Sequence, residues 1–342
     1  MHIKYSMERK NNSIVIIRVL AMLSIIFCHI FQELGNDLAF WLNIGVQIFV
    51  FTSGFLYGSK DITNYKEFLC KRAKKILIPY YIFLILAFIY YYIFKKEFIN
   101  IKLMVTALLG LQLWGESIKG LGHLWFVPLI MICYLITPIL QNLYKKMENN
   151  RSTKRLAIIG LIIFQILVLV PFINADITIN ITIYILGYVI SRKYHSKHLT
   201  VKQLKKIFIV TCIIGIMLSI LKIMLQSNLL VNLNVYILKI LNIIATYKNL
   251  FIGIGVFLLI YIIGEEKVDG IKQYKIVNLL DKYSYDIYLT HLIFILGPSS
   301  LLYITNYLFI NCCIIFVCIF ISAIILNKIT EKINLFLEKR KL

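Results

Sequence analysis

The 342-residue chain is 60% hydrophobic and 15% charged, with a formal net charge of +21 and a mean hydropathy of +0.82. Soluble domains hold about 45–50% apolar and 25% charged residues, so this composition excludes a soluble globular protein and indicates an integral membrane one. The basic residues lie between apolar runs rather than in one patch. They read as topology signals and lipid contacts, which argues against a nucleic-acid partner.

Lys4, Arg9 and Lys10 precede the first apolar run, as in a signal peptide. That run is too long for a signal core and no A-x-A site follows it, so it reads as an anchor. In chain order, spanning helices are predicted at 14–34, 40–58, 76–94, 122–142, 156–173, 177–191, 207–225, 249–264, 284–305 and 308–327. The stretches 103–113 and 236–246 are apolar but short, and read as interfacial or re-entrant pieces. With the N-terminus in the cytoplasm, 29 of the 37 Lys and Arg residues fall on the cytoplasmic side and 6 on the other, while Arg18 and Lys222 lie within spans. That asymmetry is the one the positive-inside rule requires.

The expected fold is therefore all-α: a polytopic membrane protein of about ten transmembrane helices with both termini cytoplasmic. It is read as a single domain over 1–342 with no appended extramembrane domain. The basic tail after Asn327 is amphipathic and expected on the inner membrane surface. The seven cysteines lie mostly in apolar segments without CxxC or metal-ligand spacing, and read as small buried hydrophobes.

Two ionisable residues in the first span, Arg18 and His29, are costly in a bilayer unless paired or working. Their spacing is three helical turns plus roughly 20°, which puts both on one face about 16 Å apart. A cation near one surface and a titratable imidazole deeper in suit a long substrate, anionic at one end and reactive at the other. Glu33, one turn beyond His29, could orient the ring or be an ordinary interfacial charge. Ser53 and Gly54 end the second span at about the depth of Arg18, where Gly54 would let the first two helices approach closely. The first cytoplasmic loop holds a basic cluster whose Arg72 and Lys75 would also suit a phosphate group. His123 and Trp125 open the fourth span. His291 lies in the ninth with Tyr288 on its face, and Gly297-Pro298 beyond it is expected to kink that helix. His29 and His291 are expected to share one cavity.

These residues, in this order, resemble the acyltransferase-3 family of bacterial membrane acyltransferases, which O-acylate cell-surface carbohydrates. The likeness is carried by Arg18-x10-His29 within IRVLAMLSIIFCHIF and by IGVQIFVFTSGFLY, FLCKRAKKILIPYY, GHLWFVPLIMICYLITPIL and YSYDIYLTHLIF. The resemblance implies a ten-helix core that takes an acyl group from cytosolic acyl-CoA to an acceptor hydroxyl, with Arg18 and His29 essential. Lys75 stands where a second Arg is common, which departs from the pattern and weakens a bidentate phosphate contact there.

The expected activity is a membrane O-acyltransferase moving an acetyl group from acetyl-CoA, or another acyl group from its acyl-CoA, to a hydroxyl of an exopolysaccharide, capsule or other surface glycan. His29 would be the general base, or a covalent acyl carrier, and Arg18 would hold an anionic part of the CoA or stabilise developing charge. Ser53, Gly54, Arg72, Lys75, His123, Trp125, Tyr288 and His291 are the expected binding residues. The expected partners are acyl-CoA, a carbohydrate or lipid-linked glycan and the bilayer, without a metal, and the expected location is the bacterial inner membrane. The competing reading is a transporter of a glycan or lipid-linked sugar, with no acyl-transfer chemistry.

Overall fold

A computed structural model describes residues 12–94, 96, 99–166, 175–227, 229–230, 232–266 and 274–339. The expected anchor-flanking residues Lys4, Arg9 and Lys10, Lys95, and the end of the 156–173 span lie outside the described residues. The chain is 82% helix with no strand among the described residues, and seven of its helices are long and apolar enough to cross a membrane. Packing divides it into two compact units, each assembled from separate stretches of chain.

The first unit draws on Met1–Ala21, Asn43–Ile62 and Ile136–Asn278. Its centre is three helices, α3 (Gly45–Gly58), α8 (Ala175–His195) and α11 (Lys248–Glu266). They lie together because glycines remove side chains where backbones meet. A Cβ on Gly54 would lie 2.2 Å from the Tyr184 carbonyl oxygen, and one on Gly187 would lie 2.5 Å from that of Phe51. Phe51, Phe55, Phe257 and Tyr261 then fill the α3–α11 seam, with ring centroids 4.7–4.9 Å apart between the two helices. Gly54 thus serves a close helix contact, as small residues do in membranes, but its partner is α8 rather than the first helix.

Around this centre lie α7 (Arg151–Ile166), α9 (Val201–Gln226) and α10 (Val235–Thr246). α9 leaves Ile209, Ile213, Ile216 and Ile220 exposed, an apolar face suited to lipid. Its one in-span cation is satisfied, since Lys222 Nζ donates to Asn242 Oδ1 at 2.6 Å. The segment after α3 is tied down by polar contacts. Arg192 pairs with Asp61 and donates to the Lys60 carbonyl at 3.4 Å, while Gln141 bonds both the N–H and the carbonyl of Ile62 at 2.8 and 3.0 Å. Tyr194 donates to Glu265 at 2.8 Å, and Lys205 pairs with Glu266 at 2.5 Å.

The second unit draws on Met22–Leu42, Thr63–Leu135 and Leu279–Leu342. It takes the later half of α1 (Asn12–Glu33), with α2 (Leu38–Leu42), α4 (Tyr65–Phe94) and α5 (Ile101–Leu108). A 3₁₀ turn, Gly122–Trp125, leads into α6 (Phe126–Asn149), whose first part belongs here. The end of α12 (Lys275–Lys282), a short amphipathic helix, joins α13 (Ser284–Ile295) and α14 (Leu308–Lys339) to complete the set. α13 is the core of this unit, buried from Asp286 through Ile293 and packed on α14, α4 and the 3₁₀ turn.

Three sequence expectations change here. The basic stretch from Lys71 to Lys75 is not a loop but the first turns of α4, which starts at Tyr65 with the Asn64 side chain accepting from the Glu67 N–H at 3.0 Å. The ninth span stops at Ile295, where Leu296 is extended and Gly297 has a φ of +149°, so Gly297-Pro298 ends the helix instead of kinking it. The tail after Asn327 continues α14 without a break to Lys339. The segments expected at 156–173, 177–191 and 284–305 are not among the seven long apolar helices. α7 and α13 are described over only 16 and 12 residues, and α8 carries Asp176, Thr178, Asn180 and Thr182 in its first turns.

Candidate active site

The second unit gathers three of the chain's imidazoles. α1 carries His29, the 3₁₀ turn carries His123 and α13 carries His291. The His29 and His291 rings are stacked with centroids 5.4 Å apart, and His123 meets His291 edge-on at 4.7 Å. Tyr288, one turn earlier on α13, packs against His123 at 5.2 Å and His291 at 5.7 Å.

Backbone contacts set this arrangement. The chain before the 3₁₀ turn passes directly over the end of α13, because Gly120 and Gly297 both lack a side chain. A Cβ on Gly120 would lie 2.7 Å from the Leu296 carbonyl oxygen, and one on Gly297 would lie 3.1 Å from the Gly120 Cα. His123 and α13 then interlock, since Tyr288 donates its hydroxyl to the His123 carbonyl while His123 Nε2 donates to the Leu289 carbonyl at 3.0 Å. The Tyr288 hydroxyl is therefore committed to holding the turn in place.

These bonds also fix the tautomers. A carbonyl oxygen only accepts, so the ring nitrogen facing it carries the proton. His123 is protonated at Nε2, and His291, whose Nδ1 lies 2.6 Å from the Tyr288 carbonyl, is protonated at Nδ1. His29 Nδ1 lies 3.2 Å from Gln32 Oε1, which leaves its Nε2 as the basic nitrogen. His123 and His291 are buried, at 4% and 0% exposure, and their remaining nitrogens, Nδ1 and Nε2 respectively, have no hydrogen-bond partner. Each such buried, unmatched polar atom costs about 1–3 kcal/mol, a cost a protein retains where the group is used. His29 is half-buried, so it alone of the three is partly open. Among the described residues no group of three or more His, Cys, Asp and Glu is arranged to hold a metal ion.

Two residues of the cluster escaped the sequence reading. Gln32, not Glu33, bonds the His29 ring, and Glu33 is exposed. Asp286 is buried on α13, and its Oδ2 accepts from Asn327 Nδ2 at 3.1 Å. An intramembrane carboxylate was the signal available for it. Lys75 lies close enough to act on the Asp286 charge. The Tyr285 hydroxyl reaches the Ile76 carbonyl at 2.9 Å, which joins the start of α13 to the basic turns of α4 that carry Arg72 and Lys75. From Tyr285 to His291 is about 9 Å along the helix. A basic stretch and the imidazole cluster thus stand at two levels of one buried helix.

Trp125 closes the 3₁₀ turn and is half-buried. Arg18, Ser53 and Gly54 belong to the first unit. Arg18 is half-buried on α1, Ser53 is half-buried on α3, and Gly54 is spent on the α8 contact. The acyltransferase-3 family model, described as an acyltransferase domain, matches residues 11–327. No curated protein and no solved structure matches the chain.

Proposed function

The chain belongs to the acyltransferase-3 family and is a membrane acyltransferase, and from that premise we propose that it moves an acyl group, acetyl first among them, from cytosolic acyl-CoA to a hydroxyl of a surface glycan. The observation that carries the reading is the imidazole cluster, in which the most open ring, His29, keeps a basic nitrogen free. His29 Nε2 takes the proton of the acceptor hydroxyl as that oxygen attacks the thioester carbonyl. The C–S bond then breaks, and the CoA thiolate leaves with a proton. Neutral imidazole suits this work near pH 7, and such assistance is typically worth about 10²–10⁴-fold.

The basic turns of α4 supply the donor contact. Arg72 and Lys75 meet the phosphates of CoA at the cytoplasmic surface, while the acyl end extends along α13 toward the histidines. The membrane concerned is the bacterial inner membrane, crossed about ten times with both termini in the cytoplasm. The test is consumption of radiolabelled acetyl-CoA by the purified protein in lipid nanodiscs, with methyl hexopyranosides as acceptors. Labelled sugar ester and free CoA are expected. A protein that leaves the thioester at the background hydrolysis rate is not an acetyltransferase.

A further inference from the structure

The short helix α12 has no part in the proposed reaction, and its outward side differs from that of a spanning helix. At about 100° per residue, Lys282, Lys275, Leu279 and Ile276 follow one another across roughly 120° of its circumference. All four are exposed, Leu279 at 43% and Ile276 at 66%, and Tyr274 just before the helix is exposed as well. Val277, Leu280 and Asp281, on the opposite side, are half-buried. The outward face is therefore basic along one edge and apolar along the other. Water leaves the apolar edge uncovered, and a hydrocarbon environment makes the lysines costly. The boundary between lipid headgroups and acyl chains satisfies both edges at once.

The place of α12 in the fold puts it at that boundary. Tyr283, the next residue, has a ψ of +5°, so the chain turns there before α13 begins. The Tyr283 ring packs edge-on against Phe320 of α14 at 5.8 Å, and Lys282 Nζ lies 5.1 Å from the centroid of the same ring. Phe320 belongs to one of the long apolar helices, so Tyr283 anchors the end of α12 to a spanning element while Lys282 stays exposed. Two residues further on, the Tyr285 hydroxyl bonds the Ile76 carbonyl at 2.9 Å. The end of α12 thus stands at the same end of the second unit as Arg72 and Lys75.

We propose that α12 is a membrane-surface helix that binds anionic lipid headgroups of the cytoplasmic leaflet, an inference that rests on the membrane placement and orientation above and not on the transfer chemistry. Tyr274, Ile276 and Leu279 enter the acyl-chain boundary, and Lys275 and Lys282 meet the lipid phosphates. Since Tyr283 alone separates α12 from α13, this contact holds the start of the helix that carries Tyr288 and His291.

The experiment places an environment-sensitive fluorophore on Ile276→Cys, Leu279→Cys or Val277→Cys in the full chain, each in a cysteine-free background. The purified proteins are set in nanodiscs of phosphatidylcholine, with and without phosphatidylglycerol, that contain lipid carrying a nitroxide high on its acyl chain. Labels at 276 and 279 are expected to be quenched, and the label at 277 much less. Quenching is expected to deepen when phosphatidylglycerol is present. Lys275→Glu with Lys282→Glu should abolish that increase, whereas Lys275→Arg with Lys282→Arg should keep it. Labels at 276 and 279 that stay unquenched in both lipids overturn the docking, and equal quenching at all three positions overturns the choice of face. Quenching indifferent to phosphatidylglycerol overturns the anionic-headgroup assignment. No turnover is measured, so a chain that shows the expected pattern but leaves acetyl-CoA intact loses the acyltransferase reading and keeps the lipid-docking helix.

Discussion

At the scale of single residues, the chemistry rests on which nitrogen of each histidine is free. His29 and His291 stand out in the sequence because an imidazole within a bilayer span is rare without a task. Their stacked rings make a sharp demand on mutant kinetics. His29→Ala and His291→Ala should each reduce transfer, and the double variant should lose much less than the product of the two. A coupling energy above about 1 kcal/mol in that cycle marks one unit, while additive losses would separate the two residues. Spacing alone could not choose between Gln32 and Glu33 as the partner of His29. Both follow at helical spacing on nearly the same face, and only the side-chain geometry decides. Asp286 lies in the first turn of α13, and its burial became visible only once that helix was seen packed into the second unit.

At the scale of elements, apolar runs located the helices well, but their ends and their partners depended on features that hydropathy does not record. Gly54 was legible as a close-approach glycine, but not its choice of α8, since the complementary glycine, Gly187, lies 133 residues later. Gly54→Ala should force α3 and α8 apart at a backbone oxygen and cost about 1–3 kcal/mol. A clear fall in the unfolding temperature of the detergent-solubilised protein is expected, and an unchanged value would contradict the contact. The segment after α3 offers a second check. Its Asp61 carboxyl is held below the usual carboxylate range, first by the hydrogen bond from Arg192 and then by the charges of Arg192 and Lys145. A depressed pKa stabilises the fold above the unfolded carboxylate value, about 3.9, and that gain is lost as the pH falls through the folded value. Asp61→Asn should therefore lower the unfolding temperature slightly at pH 7, and the difference should shrink as the pH falls below the ordinary carboxylate value. The effect is small because Asp61 is largely exposed. A difference that persists at the low pH would place its cause elsewhere.

At the scale of the whole molecule, hydropathy and charge give different counts of crossings. Among the described residues seven helices are apolar and long enough to span, whereas the sequence reading, supported by the spread of Lys and Arg, expects ten crossings. The difference lies in α7, α8 and α13, where short described helices or buried polar side chains lower the apolar signal. Asp61, Arg192 with Tyr194 and Lys205, and Glu265 with Glu266 come from three segments that charge assigns to one side, and their bonds hold those segments at one end of the first unit. A cysteine at Ser152, in a cysteine-free background, should react with impermeant maleimide only when the cytoplasmic face is opened. Labelling from outside intact cells would contradict the ten-crossing arrangement. The central claim concerns His29, and its most direct measurement is the acetyl-transfer rate of His29→Ala in nanodiscs, beside proof that the variant is folded. The account predicts a rate at least about a hundredfold below wild type. A folded His29→Ala protein that keeps more than about a tenth of the wild-type rate would contradict it.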